Sequence, residues 1–168
     1  MKICFLKNFV YQLSFVAFLL PTICFSAVHN ITSSSLDASS PSLFNGTIAW
    51  VSSDGEDQDI FYWNGSTTYK ITNDPELDES PSLYNGTIAW TKRLKQPYDK
   101  SASEIYYWDG NEIQNLTNSA RNEYTPSLYN GTIAWAVYKH DSNYKEIFYW
   151  DGRSIITGSL HLLLREYP

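Results

Sequence analysis

An all-β fold, a partial β-propeller of about three four-stranded antiparallel blades preceded by a signal peptide, is what this sequence predicts, and three observations predict it. A decapeptide occurs three times, as PSLFNGTIAW from Pro41 and as PSLYNGTIAW from Pro81 and Pro126. Each copy is followed, after a loop of varying length, by an aromatic run closing on a glycine: Ile60-Phe-Tyr-Trp-Asn-Gly, Ile105-Tyr-Tyr-Trp-Asp-Gly and Ile147-Phe-Tyr-Trp-Asp-Gly. The prolines are spaced by 40 and then 45 residues, the length of a propeller blade.

The chain opens on a segment, residues 1–26, that reads as a secretory signal. Lys2 and Lys7 give the basic start, Phe9 to Leu20 the apolar stretch, and Cys24, Ser26 and Ala27 the small residues before cleavage. A membrane anchor competes, but the stretch falls short of about 20 apolar residues and is interrupted by Gln12 and Ser14. A lipoprotein would use Cys24, yet Thr22-Ile23 stand where a small residue is expected. Both cysteines, Cys4 and Cys24, lie in the segment to be removed, so the mature chain relies on packing instead of disulfides. Removal takes away two lysines and no acid, moving the net charge from −6 to −8. That balance argues against nucleic acid as a partner, because counterion displacement needs clustered cations, and it disfavours anionic membrane surfaces.

Within each decapeptide, Asn-Gly separates two β-prone runs, the strongest short hairpin signal. A second hairpin is expected at Asn64-Gly65, Asp109-Gly110 and Asp151-Gly152, completing a meander of strands a, b, c and d. Strand d is expected at Tyr69–Thr72 and Ile113–Thr117. The spacing from Pro to Trp is nine in every copy, while the loops from b to c hold 9, 14 and 11 residues. Those loops and the eight-residue d-to-a loops share one end of the sheets; the tight turns occupy the other. Strand c has no polar alternation and strand b puts Ile and Trp on one face, so both faces of each sheet require cover. Radial stacking of successive sheets provides it. An independent sandwich explains the strands but not their near-identity.

Residues 28–157 resemble TolB-type β-propeller repeats, the resemblance resting on Pro81, Gly86, Ile88-Ala89-Trp90, Ile105-Tyr106 and Leu116-Thr117 with their equivalents. The family's usual Ser-Pro-Asp-Gly turn is here Leu-Tyr-Asn-Gly. Trp108-Asp109 and Trp150-Asp151 are not WD-repeat signatures, since they sit on the c-to-d turn with no Gly-His before them. The resemblance implies an interaction platform of the cell envelope, in the periplasm or outside the cell.

The domain organisation expected is a signal peptide at 1–26, repeats over 27–157 (outer strand 28–32; blades 41–72, 81–117 and 126–157) and an irregular tail at 158–168. Val28-His29-Asn30-Ile31-Thr32 aligns with the d strand ending at Thr72 and is expected to close a ring on the last blade. Three blades do not close a ring. Two outcomes follow: two chains in a head-to-tail homodimer of six blades, or a shortened copy of a larger propeller, the departure of residues 158–168 from the repeat favouring the second.

Catalytic signatures are absent from the sequence. His29, His140 and His161 have no metal-ligand spacing, His140-Asp141 has no counterpart in the other repeats, and no Gly-x-Ser-x-Gly elbow occurs. No catalytic, cofactor-binding or metal-binding residue is assigned and no cofactor is expected. The acidic loop Asp54-Gly55-Glu56-Asp57-Gln58-Asp59 departs from the EF-hand order and reads as a solvated turn. Asp78 and Glu123, each three before a blade-opening proline, are expected to bond loop backbone groups. The six tryptophans recur at fixed strand positions and read as packing, not as sugar platforms. Six Asn-x-Ser/Thr sequons begin at Asn30, Asn45, Asn64, Asn85, Asn115 and Asn130, four of them hairpin asparagines that turn chemistry already explains. The contact residues expected for a protein or small ligand are Asp54, Asp57, Asp59, Tyr98 and Tyr144, on the loop-rich acidic end. The function expected is non-catalytic binding; the alternatives are an accessory propeller of a larger exported hydrolase, or a carbohydrate-binding propeller.

Overall fold

Asn-Gly turns fold the decapeptides into hairpins. Asn45, Asn85 and Asn130 adopt φ of 44°, 48° and 47°, and Gly46, Gly86 and Gly131 follow at 79°, 80° and 74°, the paired left-handed geometry of a type I′ turn. The computed structural model describes residues 28–32, 35–53, 55–94, 102–119, 121–138 and 144–157; the expected signal peptide (1–26) and irregular tail (158–168) lie outside them. The first blade is β1 (Asp37–Phe44), β2 (Thr47–Ser53), β3 (Gln58–Trp63) and β4 (Thr68–Lys70). The second is β5 (Leu77–Tyr84), β6 (Thr87–Arg93), β7 (Ser103–Trp108) and β8 (Ile113–Asn115). The third is β9 (Glu123–Tyr129), β10 (Thr132–Tyr138), β11 (Lys145–Trp150) and β12 (Ile155–Thr157).

Each blade is an antiparallel meander. Hydrogen bonding joins β1 to β8 in one eight-stranded sheet, through the single parallel bridge Gln58–Leu77 between the first two blades, while β9 to β12 form a four-stranded sheet. The equivalent bridge, Ser103–Asn122, links the second blade to the third.

Three local features differ from the sequence reading. The c-to-d turns are four-residue connections, not copies of the first hairpin: Asn64, Asp109 and Asp151 each accept two backbone N–H bonds through Oδ1, from Ser66 and Thr67, Asn111 and Glu112, and Arg153 and Ser154, at 2.8–3.0 Å. Only the glycine then needs positive φ. Strand d is shorter than expected, because Thr72 and Thr117 leave the ladder and accept the N–H of Ile60 and Ile105 at 2.9 and 3.0 Å. Residues 28–32 form no strand; the edge of β11 that such a strand would close is occupied by β12.

The core lies between blades. Alternation sends Ile and Trp of each b strand to one face and Ala with its small partner to the other. Ala49, Val51, Ile60 and Tyr62 of the first blade pack against Leu83, Ile88 and Trp90 of the second. Ala89 and Ile105 of the second pack in the same manner against Leu128, Ile133, Trp135 and Val137 of the third. Trp50, Trp90 and Trp135 are buried, and Trp63, Trp108 and Trp150 half-buried. A hydrogen bond is repeated at each junction: the Leu83 N–H donates to Ser42 Oγ and the Leu128 N–H to Ser82 Oγ, both at 2.9 Å.

Leu83 is 5% exposed between two blades. Leu83→Ala removes about three methylene-sized groups from that interface and leaves a void, so it is expected to lower unfolding free energy by about 2–5 kcal/mol in a denaturant titration. A loss under about 0.5 kcal/mol, the value of an ordinary surface site, would contradict the inter-blade core.

Candidate recognition site at the loop end

The connections from b to c and from d to the next a gather at one end of the blades, and there the three repeats stop resembling one another. Three rim positions are equivalent in sequence: two before the blade-opening proline, three after the b-strand tryptophan and two before the c-strand isoleucine. In the first blade they are Ser39, Ser53 and Gln58; in the second, Glu79, Arg93 and Ser103; in the third, Tyr124, Tyr138 and Lys145. The geometry follows the chemistry. Arg93 Nη2 pairs with Glu79 Oε2 at 2.8 Å. The Tyr124 and Tyr138 rings meet edge to face with centroids 5.3 Å apart, and the Lys145 ammonium lies 5.0 and 4.9 Å from them, within cation–π range. Tyr138 is 42% and Tyr144 77% exposed beside this cluster.

The expected contact residues divide. Tyr144 is exposed at this end, and Asp57 is half-buried with its carbonyl accepting from Ser53 Oγ at 2.8 Å. Asp54 and Tyr98 lie outside the described residues. Asp59 corrects the sequence reading: it belongs to β3, is 3% exposed, and its carboxylate is held by Lys70 at 2.7 Å and the Thr72 hydroxyl at 3.2 Å. It supports the blade and is not free for a ligand. Among the described residues no group of three His, Cys, Asp or Glu is placed to hold a metal.

The buried carboxylates were the least legible part. Ser40, Ser80 and Thr125, each directly before a proline, have φ of 51°, 53° and 46°, and the strand register shifts across them. Such a bulge reverses the alternation, so Asp78 falls opposite Lys92 on the Trp90 face. There it accepts the Trp90 indole N–H at 2.7 Å, with the Lys92 ammonium 3.7 Å away; Lys92 also bonds Asp74. Glu123 accepts the Ser119 hydroxyl at 3.1 Å. Among the described residues, both acids bond side chains where loop backbone groups were expected. Glu104 bonds the loop backbone, accepting the Ser119 N–H at 2.8 and 2.9 Å. Burial is the main cause that pushes Asp78 up to about 6 and Glu123 up to about 7, the Glu104 charge adding to the second.

At the turn end, a groove of about 570 Å³ between the first two blades is lined by Tyr62, Tyr69, Lys70 and Trp108 among others. Gln114 and Asn115 take the places of Tyr69 and Lys70 in the next blade.

No family model and no curated protein matches this chain. Solved structures do. The β-propeller domain of the Trilobed protease from Pyrococcus furiosus aligns with a TM-score of 0.58 and 14% identity, over 73% of this chain and 38% of that one. The fold is that of a partial β-propeller. The acylaminoacyl peptidase of Pyrococcus horikoshii aligns at 0.54 and 14% identity, over 73% of this propeller and 20% of the peptidase. A TolB assignment from Agrobacterium tumefaciens aligns at 0.49 and 16% identity, over 67% of this chain and 44% of that one, a likeness too slight to add weight. The chain thus spans less than half the length of each of these solved structures.

A carboxyl with a raised folded pKa holds its proton in the native state after the unfolded chain has lost it. Stability from Glu123 is therefore full below about pH 4.5 and lost as pH rises to about 7. Glu123→Gln is expected to flatten the fall in unfolding free energy between those values and to exceed the parent at pH 8 by on the order of 2–3 kcal/mol. Parallel slopes for the two proteins would contradict the buried, protonated carboxyl.

Proposed function

We propose that this chain is a non-catalytic, exported propeller module that binds a protein partner through its loop end. The observation supporting this is the contrast between ends of the same repeats. The packed strands are nearly identical, while equivalent rim positions carry Ser and Gln, then an ion pair, then tyrosines with lysine. Packing does not require that change. Exposed tyrosine beside a cation suits a protein surface, since aromatic rings supply large contact area at low entropic cost. The recognition surface is centred on Tyr138, Tyr144 and Lys145. Export to the periplasm or the cell surface rests on the leader and on the TolB-type repeat. No helix among the described residues is long and apolar enough to cross a membrane.

A second reading, sugar binding, is favoured by the aromatic groove of Tyr62, Tyr69 and Trp108 at the opposite end. The two are separated by a photo-reactive residue placed at Tyr144 or at Ser66 of the turn end, in the exported protein of the native host. A discrete adduct from position 144 that disappears with Tyr138→Ala and Lys145→Ala, and none from position 66, supports loop-end binding. Adducts from position 66 alone, or glucan retention lost with Tyr69→Ala, would overturn it.

A further inference from the structure

Among the described residues, two blade faces have no neighbouring blade: the Leu43–Trp50 face of the first and the Ile147–Tyr149 face of the third. The cost of this is visible within the repeat. Ile60 and Ile105 are fully buried, yet their equivalent Ile147 is 65% exposed. Leu83 and Leu128 are 5% and 6% exposed, yet their equivalent Leu43 is 70% exposed. Repeat arrays that end in solvent carry polar capping faces; these two faces keep the apolar residues of an interior junction.

We propose that the occupant of both is a second copy of this chain, the third blade of each docking on the first blade of the other to close a six-bladed ring. This is independent of the loop-end reading. Three contacts that the chain makes twice within itself have their third instance on these faces. Ser42 accepts the Leu83 N–H and Ser82 the Leu128 N–H; exposed Ser127 is placed to accept the Leu43 N–H of the second copy. Phe44 meets Tyr84 at 4.4 Å and Tyr84 meets Tyr129 at 4.8 Å, leaving Tyr129, 68% exposed, for Phe44 of the second copy. Tyr62 meets Trp108 at 5.6 Å and Tyr107 meets Trp150 at 5.5 Å, leaving Tyr149 for Trp63 of the second copy.

The strand ends supply a further complement. The first two repeats continue after strand d as Ile71-Thr72 and Leu116-Thr117, whereas the third has Gly158-Ser159. Ile71 and Leu116 pack into the two inter-blade cores. The missing pair is present at the other end of the repeats: Ile31 and Thr32 line a cavity of about 300 Å³ with Pro41, Ile48 and Trp50 on the outer face of the first blade, where Leu43 is exposed and Trp50 is already buried. A junction between the third blade and the first therefore has a donor for the apolar residue that the third blade lacks. Six blades fall within the four to eight of closed propellers, and the pairing satisfies both faces of both chains by one two-fold operation.

The test is light scattering on the full chain expressed with its own leader, the subunit mass being fixed by denaturing mass spectrometry. A particle of twice the subunit mass is expected, and a loss of that dimer to monomers with Leu43→Glu or Ile147→Glu; both sites are exposed in the single chain, so native circular dichroism should persist. In a Cys4→Ser, Cys24→Ser background, Leu43→Cys with Ser127→Cys should oxidise to a covalent dimer, and either cysteine alone should not. A parent protein that stays monomeric at about 100 μM, well above typical specific affinities, would overturn the proposal. So would an open ladder of oligomers, or a dimer that both glutamate variants leave intact.

Discussion

The junction between neighbouring blades is the constraint on which the rest of this molecule depends. Each four-stranded sheet is apolar on two faces, so none is stable in water by itself. One face offers Ala and Ile with an aromatic ring, and the next blade returns Leu, Ile and Trp. The leucine amide that this packing would strand is taken up by a serine hydroxyl of the preceding blade, which matters because a buried N–H without an acceptor costs about 1–3 kcal/mol. Identical junctions require identical residues, and that is the physical origin of a decapeptide repeated almost without change.

Relief from that constraint sets where variation occurs. At the turn end, Asn-Gly and Asx geometry leave little freedom. At the loop end, the chain crosses between strands and between blades without entering the packed faces, and equivalent positions diverge from serine to an ion pair to a tyrosine–lysine cluster. The carboxylates there serve two roles. Asp59, Asp78, Glu104 and Glu123 are consumed inside the blade ends, holding strand ends, a loop amide and the Trp90 indole, so the negative charge of the sequence overstates the acidity available to a partner.

Much of this was legible in the sequence. The Asn-Gly pairs gave the first hairpin of every blade because their backbone conformation is local, and the fixed Pro-to-Trp spacing gave the sheet order because antiparallel neighbours follow chain order. Trp50, Trp90 and Trp135 were readable as core from their recurrence alone. What escaped was non-local or depended on parity. The bulge at Ser40, Ser80 and Thr125 shifts the side-chain alternation by one residue, so Asp78 turned inward to Trp90 where a loop contact was expected. Asp59 looked like the last residue of an acidic loop, but the strand begins at Gln58 and places it against Lys70. The rim cluster of Tyr124, Tyr138 and Lys145 was hidden because its members lie on three different strands; comparing the repeats position by position was the signal that could have found it.

Amide hydrogen exchange followed residue by residue by NMR tests the inter-blade junction most directly. If successive blades are pressed together through the serine–leucine contacts, the Leu83 and Leu128 amides will exchange only with global unfolding, as slowly as the central strand amides of Ile88 and Ile133. Exchange of Leu83 and Leu128 at the rate of the exposed turn amides of Gly65 and Gly110 would show that the blades are not stacked as described.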